Sequence, residues 1–240
     1  MGALELEGAT VRYGARVVLD RIDLQVGARE RVALIGPNGS GKTTLLRVLA
    51  GIVRPDGGRA RPAGEVDRAA LARRLAFLPQ EEHWEFPFTV EQVISCGRYV
   101  YRDNDPGAVH RAIDRVGLSE LRDRPITELS GGERRLALLA RSLAQEAPAL
   151  LLDEPTTALD LEHRHAVLSI LGEFEGAVLL STHDLDAAAA CARVVVLDHG
   201  RIAADGAPEE VLNAALLREV FHVEARIFRE GGRIHVVAPV

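Results

Sequence analysis

Short segments of alternating apolar and polar positions fill the first 35 residues, and Gly or Asp residues separate them. Alternation with a period of two predicts half-buried strands. These segments lie at 4–7, 10–13, 17–19 and 22–26. A mostly apolar run at 31–35 predicts a buried strand, which leads through a Gly-rich loop into a predicted helix over 42–50.

Continuous apolar runs of strand length recur in the second half of the chain, at 149–153, 177–181 and 194–198. Helical patterns over about 161–174 and 184–192 lie between these runs. Buried strands that alternate with helices predict a parallel α/β sheet.

Residues 81–147 break this alternation with a mostly helical pattern, which Pro79 and Pro148 flank. The helical segments lie near 89–97, 107–117 and 132–146. At the end of the chain, two β-like runs within 222–238 surround Gly231 and Gly232, which predicts a β-hairpin.

Composition narrows the class of protein. No apolar run approaches the roughly 18 residues that a membrane span needs, and residues 1–5 do not resemble a signal peptide, so we expect a cytosolic chain. The net charge of −6 and the lack of a basic block argue against a nucleic-acid partner. Among 29 basic residues the only lysine is Lys42, which marks it as a functional candidate because Arg does not replace a compact charge.

Residues 36–43, Gly-Pro-Asn-Gly-Ser-Gly-Lys-Thr, match the phosphate-loop pattern G-x-x-x-x-G-K-[ST]. The glycines allow backbone N–H groups to surround phosphate oxygens, and the helix that follows adds its positive end. In such loops the lysine, here Lys42, contacts the β- and γ-phosphates, and the hydroxyl of Thr43 is placed to bind Mg²⁺.

Asp153 and Glu154 follow the apolar run at 149–153, at the end of a predicted buried strand. Ligands of open α/β sheets bind at this edge. We therefore predict that Asp153 supports Mg²⁺ and that Glu154 polarises the attacking water.

A second anion site is predicted where Ser130 precedes Gly131 and Gly132 at the start of a long helix. With Leu129 and Glu133 this segment resembles the LSGGQ signature of the ABC ATPase family, with Glu at the last position. The resemblance implies an α/β P-loop NTPase fold with an N-terminal antiparallel β subdomain, a mostly parallel core sheet and a helical insert. It also implies that the signature binds the γ-phosphate of ATP held by a second copy of the chain.

The other family motifs follow in order, and the resemblance over about 4–212 assigns their roles. Tyr13 matches the aromatic that stacks on adenine, although a strand-end tyrosine is the alternative. Gln80 matches a residue that contacts Mg²⁺ and water, Asp160 lies in a loop that crosses the dimer interface, and His183 matches the histidine at the γ-phosphate. His163 and His165 make a poor metal pair, since residues two apart do not share a helix face.

The complete site that the resemblance implies has three parts. The implied catalytic residues are Glu154, His183 and Gln80, and the implied Mg²⁺-binding residues are Thr43, Gln80 and Asp153. The implied ATP-binding residues are Tyr13, Asn38, Gly39, Ser40, Gly41, Lys42, Thr43, Thr44, Ser130, Gly131, Gly132 and Asp160. The resemblance further implies one domain over 1–240: a RecA-like core with its β subdomain at 1–80 and 148–221, a helical insert at 81–147 and a hairpin tail at 222–240.

A chain with one phosphate loop and one signature looks like a bacterial importer ATPase. Such a subunit forms a homodimer on the cytoplasmic face of the membrane, bound to a permease dimer and served indirectly by a substrate-binding protein. The segments at 82–101 and 220–225 are similar to ATPases of iron-siderophore, haem and cobalamin importers, and half of the ten aromatic residues lie in 82–101, which suggests a permease-docking surface. Zinc or manganese importers, soluble ABC ATPases of DNA repair or translation, and P-loop kinases are the alternatives.

Overall fold

The computed structural model describes residues 3–62, 66–80, 84, 86–101, 105–224, 226–230 and 233–237. The strands are β1 (Leu4–Tyr13), β2 (Arg16–Val26), β3 (Arg31–Ile35), β4 (Gly57–Arg61), β5 (Ala76–Leu78), β6 (Ala149–Asp153), β7 (Ala177–Ser181), β8 (Arg193–Asp198), β9 (Arg201–Gly206), β10 (Arg226–Glu230) and β11 (Arg233–Val237). The helices are α1 (Lys42–Leu49), α2 (Arg68–Ala72), α3 (Val90–Ser95), α4 (Pro106–Arg115), α5 (Gly131–Ala144), α6 (Leu161–Gly172), α7 (Leu185–Ala189), α8 (Pro208–Val211) and α9 (Ala214–Phe221).

An antiparallel sheet of order β2-β1-β4 forms the N-terminal subdomain. Four short strands were expected here, and the structure instead has two long ones. Gly8 (φ +57°) and Arg21 (φ +52°) adopt left-handed conformations at irregularities within the strands rather than at chain reversals. The amide of Gly8 donates to Asp23 Oδ1 (2.7 Å), so cross-strand contacts continue through the bulge.

The core sheet has the order β5-β6-β7-β3-β8-β9. Neighbours from β5 to β8 are parallel, and β9 is antiparallel to β8 at the edge. Strands β6 and β7 are buried at every position, as expected for a sheet covered on both faces. The predicted α/β fold, with its antiparallel subdomain and mostly parallel core sheet, is confirmed.

The predicted helical insert is also present, and its helices end within two residues of the predicted bounds. Helix α3 begins with a capping box formed by Thr89 and Gln92. Apolar residues of α3, α4 and α5 pack with β5, β6 and α6 in one continuous hydrophobic core, which includes Ile94, Ile113 and Leu139. This core attaches the insert to the edge of the sheet where β5 lies.

The C-terminal part contains two helices that the pattern did not predict, α8 and α9, and the two strands of the predicted hairpin. Val211 of α8, Leu212 directly after it and Val220 of α9 pack against β8. Strand β10 pairs with β11 antiparallel. The expected turn of this hairpin, at 231–232, lies outside the described residues. None of the helices in the described part of the chain is long and apolar enough to span a bilayer.

Strands β4, β5 and β9 were not predicted either. Strand β5 has only three residues, and β4 and β9 carry Gly or Arg at exposed positions. Their pairing partners, rather than their own hydrophobicity, make them strands.

Candidate nucleotide-binding and catalytic site

The C-terminal ends of four neighbouring parallel strands meet at one edge of the core sheet. Strand β3 leads into the phosphate loop, β5 into Gln80, β6 into Glu154 and β7 into His183. Parallel strands bring these segments together although up to about 150 residues of chain separate them, which is how open α/β sheets build ligand sites.

Two glycines of the phosphate loop lie where no other residue fits. Gly36 has φ +152°, and a Cβ built on it would lie 2.0 Å from the carbonyl oxygen of Leu197. Gly41 has φ +113°, and its Cβ would lie 2.9 Å from Val18 O. Gly41 is also the N-cap of α1, with no side-chain cap, so the first amides of this helix remain available to an anion.

Lys42 is turned inward at the start of α1 and is only 6% exposed. Its Nζ donates to Gly36 O (2.8 Å) and Pro37 O (3.1 Å). Burial lowers the pKa of Lys42, and the charges of Glu154 and Asp153 act against that shift. The ammonium group therefore lies inside the loop, where phosphate oxygens can replace the two carbonyls as acceptors.

A cleft of about 290 Å³ opens beside this loop. It is lined by Arg16, Val18, Asn38, Gly39, Gly41, Lys42, Thr43, Thr44, Gln80 and Glu154. Ser40 is buried in the same loop, and its hydroxyl has no hydrogen-bond partner among the described residues. The structure therefore brings most of the predicted phosphate-binding residues together with two of the predicted catalytic residues.

Arg16 is a cleft residue that the sequence analysis missed. It opens β2 directly opposite Tyr13, which ends β1, so both side chains lie on the same face of the hairpin. Its Nη2 lies 3.9 Å from the position that a Cβ on Gly39 would take. Tyr13 itself is 54% exposed and does not line the cleft. The turn at Gly14 and Ala15 was the available signal, since it pairs Arg16 with the predicted adenine-stacking residue.

Asp153 ends β6 and is 1% exposed. Its Oδ1 accepts a hydrogen bond from Ser181 Oγ (2.6 Å), whereas Oδ2 is buried with no partner among the described residues. A buried carboxylate oxygen that lacks a partner fits a hard divalent cation, whose ligands are oxygens. Thr43 and Gln80 line the neighbouring cleft and offer further oxygens of this kind.

Glu154 lies at the centre of the candidate catalytic residues and is 7% exposed. Its Oε1 is paired with His183 Nε2. Its Oε2 accepts from Thr157 Oγ1 (2.8 Å) and lies 3.5 Å from Gln80 Nε2. The three predicted catalytic residues, Gln80, Glu154 and His183, are therefore in one contact set at the mouth of the phosphate loop.

A larger cavity, of about 560 Å³, also touches His183. Its other lining residues lie in the segments at 156–157, 182–186 and 217–223 and in α6, and none of them comes from the phosphate loop. The smaller cleft is therefore the candidate nucleotide site.

The signature residues form a second group, away from the cleft lining. Ser130 and Glu133 make a capping box: the Glu133 amide donates to Ser130 Oγ (3.2 Å), and the Ser130 amide donates to Glu133 Oε2 (2.8 Å). The hydrogen bonds from Ser130 lower the pKa of Glu133. Gly131 and Gly132 complete the exposed N-terminus of α5, which is a ready anion site.

His163 links this group to Asp160, a contact that the sequence analysis missed. A Cβ on Gly132 would lie 2.6 Å from the His163 ring, so a larger residue there would require the ring to move. The His163 Nδ1 lies 2.7 Å from Asp160 Oδ1, and the His163 amide donates to the same oxygen (2.9 Å). The loop with Asp160 and the signature are thus joined within one chain.

Comparison with known proteins finds a matching family model, similar curated proteins and similar solved structures. The model described as ABC transporter matches residues 19–157. The chain is 46% identical to the hemin import ATP-binding protein HmuV of Streptomyces coelicolor over 237 residues, which covers 92% of the chain and 84% of that protein. It is 39% identical to the cobalamin import ATP-binding protein BtuD of Halobacterium salinarum, over 93% of the chain and 59% of that protein. A chain from a solved inward-facing structure, assigned to the metal-chelate type of ABC transporter, aligns with a TM-score of 0.84 and 27% identity over 100% of this chain and 97% of that chain.

Proposed function

The chain belongs to the ABC transporter family, and we propose that it hydrolyses ATP to power the import of a metal chelate such as haem, an iron siderophore or cobalamin. The observation that carries the proposal is the contact of Glu154 with Gln80 and His183 beside a phosphate loop. This arrangement supplies a phosphate cradle and a buried carboxylate within reach of the same space. ATP binding and hydrolysis are the chemistry that such a site supports.

In the proposed reaction, a water oxygen attacks the γ-phosphorus of ATP and gives its proton to the carboxylate of Glu154. The bond between the γ-phosphorus and the bridging oxygen breaks, and that oxygen's electron pair stays with ADP. Lys42 stabilises charge on the β- and γ-phosphate oxygens, and His183 contacts the γ-phosphate while it holds Glu154. Gln80 orients the water through its amide.

Binding of the substrate is assigned to residues around the cleft. Asn38, Gly39, Ser40, Gly41 and Thr44 act through the phosphate loop and the start of α1, and Tyr13 stacks on adenine. Arg16 joins this set, because its guanidinium lies beside Gly39 on the same hairpin face as Tyr13. Thr43, Gln80 and Asp153 would hold Mg²⁺, which supplies positive charge to the phosphate oxygens.

The functional unit that we propose is a homodimer around two ATP molecules. Ser130, Gly131 and Gly132, with Asp160, do not line the cleft of their own chain, so they are free to complete the site of a second copy. Leu161, directly after Asp160, is 83% exposed, which suits a residue at an interface.

The permease-docking surface is assigned to exposed aromatic residues that follow Gln80. Phe86, Phe88 and Tyr99 are 66%, 43% and 87% exposed, and the Phe86 and Phe88 rings contact each other edge to face. Tyr101 belongs to the same segment but is structural, since its ring packs on Arg98 and its hydroxyl donates to Gln145 O (2.9 Å). Residues 81–83 and 85 of this segment lie outside the described residues. Bound in this way, the subunit would lie at the cytoplasmic face of the membrane.

The test is reconstitution of the chain with a multi-span permease encoded beside it, in vesicles that hold Mg-ATP. We expect ATP-dependent uptake of haem, an iron siderophore or cobalamin, together with phosphate release. Uptake of zinc or manganese ions would assign the chain to the rival importer class. ATPase activity that responds to DNA or ribosomes, with no binding to the permease, would favour a soluble ABC ATPase. Transfer of phosphate to an acceptor other than water would indicate a kinase.

A further inference from the structure

Arg135 lies in the second turn of α5 and is buried, with 8% of its surface exposed. Its guanidinium donates to at least five backbone carbonyl oxygens, which belong to two different loops. The acceptors are Pro79 O (2.7 Å) and Gln80 O (3.1 Å) after β5, and Asp153 O (2.8 Å), Glu154 O (3.0 Å) and Pro155 O (3.3 Å) after β6.

The shape of the arginine side chain is what makes this bridge possible. Nη1 donates to both acceptors after β5, whereas Nη2 and Nε donate to the three after β6. A guanidinium carries five N–H donors in a rigid planar fork. A lysine at this position would present one compact group with three donors and could not span both loops.

Both of these loops carry a candidate catalytic side chain, Gln80 in one and Glu154 in the other. Glu154 has a left-handed backbone conformation (φ +49°), which a non-glycine residue adopts only when its surroundings impose it. Arg135 donates to the carbonyl oxygen of Glu154, and the backbone amide of Glu154 donates to Ser181 Oγ (2.9 Å). Arg135 therefore helps to impose the backbone geometry that aims the Glu154 carboxylate.

We propose that Arg135 is a positioning residue for ATP hydrolysis. Through its hydrogen bonds, Arg135 couples the start of α5 to the loops that carry Gln80 and Glu154. The inference rests on the proposed function, in which Ser130 and Gly132 contact ATP held by the second copy. A helix moves as a rigid element. If the N-terminus of α5 shifts when it contacts ATP held by the second copy, Arg135 therefore shifts with it. Occupancy of one site thereby affects the geometry of hydrolysis at the other.

The experiment compares Arg135→Lys with Arg134→Lys, the same substitution one position earlier. Among the described residues, the Arg134 guanidinium donates only locally, to Ile126 O and Leu129 O (3.3 Å each). We expect Arg135→Lys to lower kcat about 10- to 100-fold while the Kd for ATP changes less than about threefold, because misplaced catalytic groups affect the reaction more than ground-state binding. The Hill coefficient for ATP should fall toward one. Arg134→Lys should leave all three quantities near their wild-type values.

Several outcomes would overturn the proposal. One is a kcat for Arg135→Lys within about twofold of wild type; another is a loss of ATP affinity as large as the loss of kcat. If circular dichroism shows that Arg135→Lys does not fold, Arg135→Gln, which keeps an amide donor pair, is measured by the same criteria. Failure of both variants to fold would make Arg135 a structural residue only. An inactive wild-type chain would instead contradict the proposed function, and it is detected before any variant is made.

Discussion

Lys42 lies in an environment that restricts its replacement. It is the only lysine of the chain, and its ammonium group lies inside the phosphate loop on the carbonyls of Gly36 and Pro37. Glu154 is equally constrained, because three side chains contact its carboxylate and its backbone is left-handed.

We expect Lys42→Arg to lower ATP turnover by at least about tenfold, because the planar fork cannot occupy the space of a compact ammonium group. Lys42→Ala should abolish turnover while circular dichroism shows an intact fold. Phosphate release and equilibrium dialysis with ATP are the measurements. Arg47→Lys, on the exposed face of the same helix, is the matched control and should behave like wild type. Near wild-type turnover by Lys42→Arg would contradict the assigned role.

Glu154→Gln should bind ATP but hydrolyse it at least about 100-fold more slowly, because the amide cannot accept the proton of the attacking water. The trapped ATP should also hold two copies together, which size-exclusion chromatography with Mg-ATP detects. Glu173→Gln, at the exposed end of α6, is the control for loss of a carboxylate. An active Glu154→Gln enzyme would transfer the role of the base to His183.

At the scale of elements, α5 connects several functions through one helix. Its N-terminus carries the signature and the capping box of Ser130 and Glu133, and Arg135 lies one turn further along. The glutamate at the last signature position is therefore a helix cap as well as part of a motif. A carboxylate near a helix N-terminus also interacts favourably with the helix dipole.

The capping role predicts a pH-dependent effect of Glu133→Gln. The folded state lowers the pKa of Glu133. The carboxylate of Glu133 therefore stabilises the folded protein fully at pH values above the ordinary pKa of a glutamate, and this contribution is lost as the pH falls through the lowered pKa. At neutral pH the variant should be less stable by about 0.5 kcal/mol or less, because the side chain is partly exposed. Below the folded pKa, both proteins carry a neutral group and their Tm values should converge. A Tm difference that does not change between neutral and acidic pH would contradict this account.

At the scale of the whole molecule, the candidate site is divided into two groups on one chain. The first surrounds the cleft and includes Lys42 and Glu154, and the second includes Ser130, Gly132 and Asp160 at the start of α5 and α6. A symmetric dimer can bring the first group of each copy to the second group of the other. The exposed aromatic residues after Gln80 form a third surface, which faces solvent in the single chain.

Mixing two inactive variants tests whether the site is shared. Lys42→Ala and Ser130→Arg should form heterodimers in which one site has both changes and the other has neither. An equal mixture should then recover up to about a quarter of wild-type phosphate release, since half of the dimers would carry one intact site. The control mixture of Lys42→Ala with Glu154→Gln should recover nothing, because both changes disable the chain's own cleft. Wild-type activity that rises linearly with concentration, with no second-order component, would also exclude the shared site.

The docking surface is tested by Phe86→Ser, which removes an exposed aromatic side chain. We expect weaker co-purification with the permease and unchanged ATPase activity of the isolated subunit, because the residue does not line the cleft. Ile52→Ser is the matched control, since Ile52 is a 60% exposed apolar residue that follows the C-terminus of α1 and lies outside the aromatic segment. Loss of basal ATPase activity in Phe86→Ser would make the segment structural, and unchanged permease binding would place the docking surface elsewhere.

The sequence by itself determined the elements whose signals are local. The phosphate loop, the cap of α5 and the buried strands β6 and β7 depend on the residue types at neighbouring positions, so the α/β fold and most cleft residues could be predicted. The tertiary structure decided that the N-terminal segments merge into two long strands, that β5 and β9 join the sheet, and that Arg16 enters the cleft. It also decided that Arg135 joins two loops that lie 18 to 56 residues away and that His163 fills the space beside Gly132. Such contacts depend on where the folded chain places distant backbone groups, and no pattern of neighbouring residues encodes that placement.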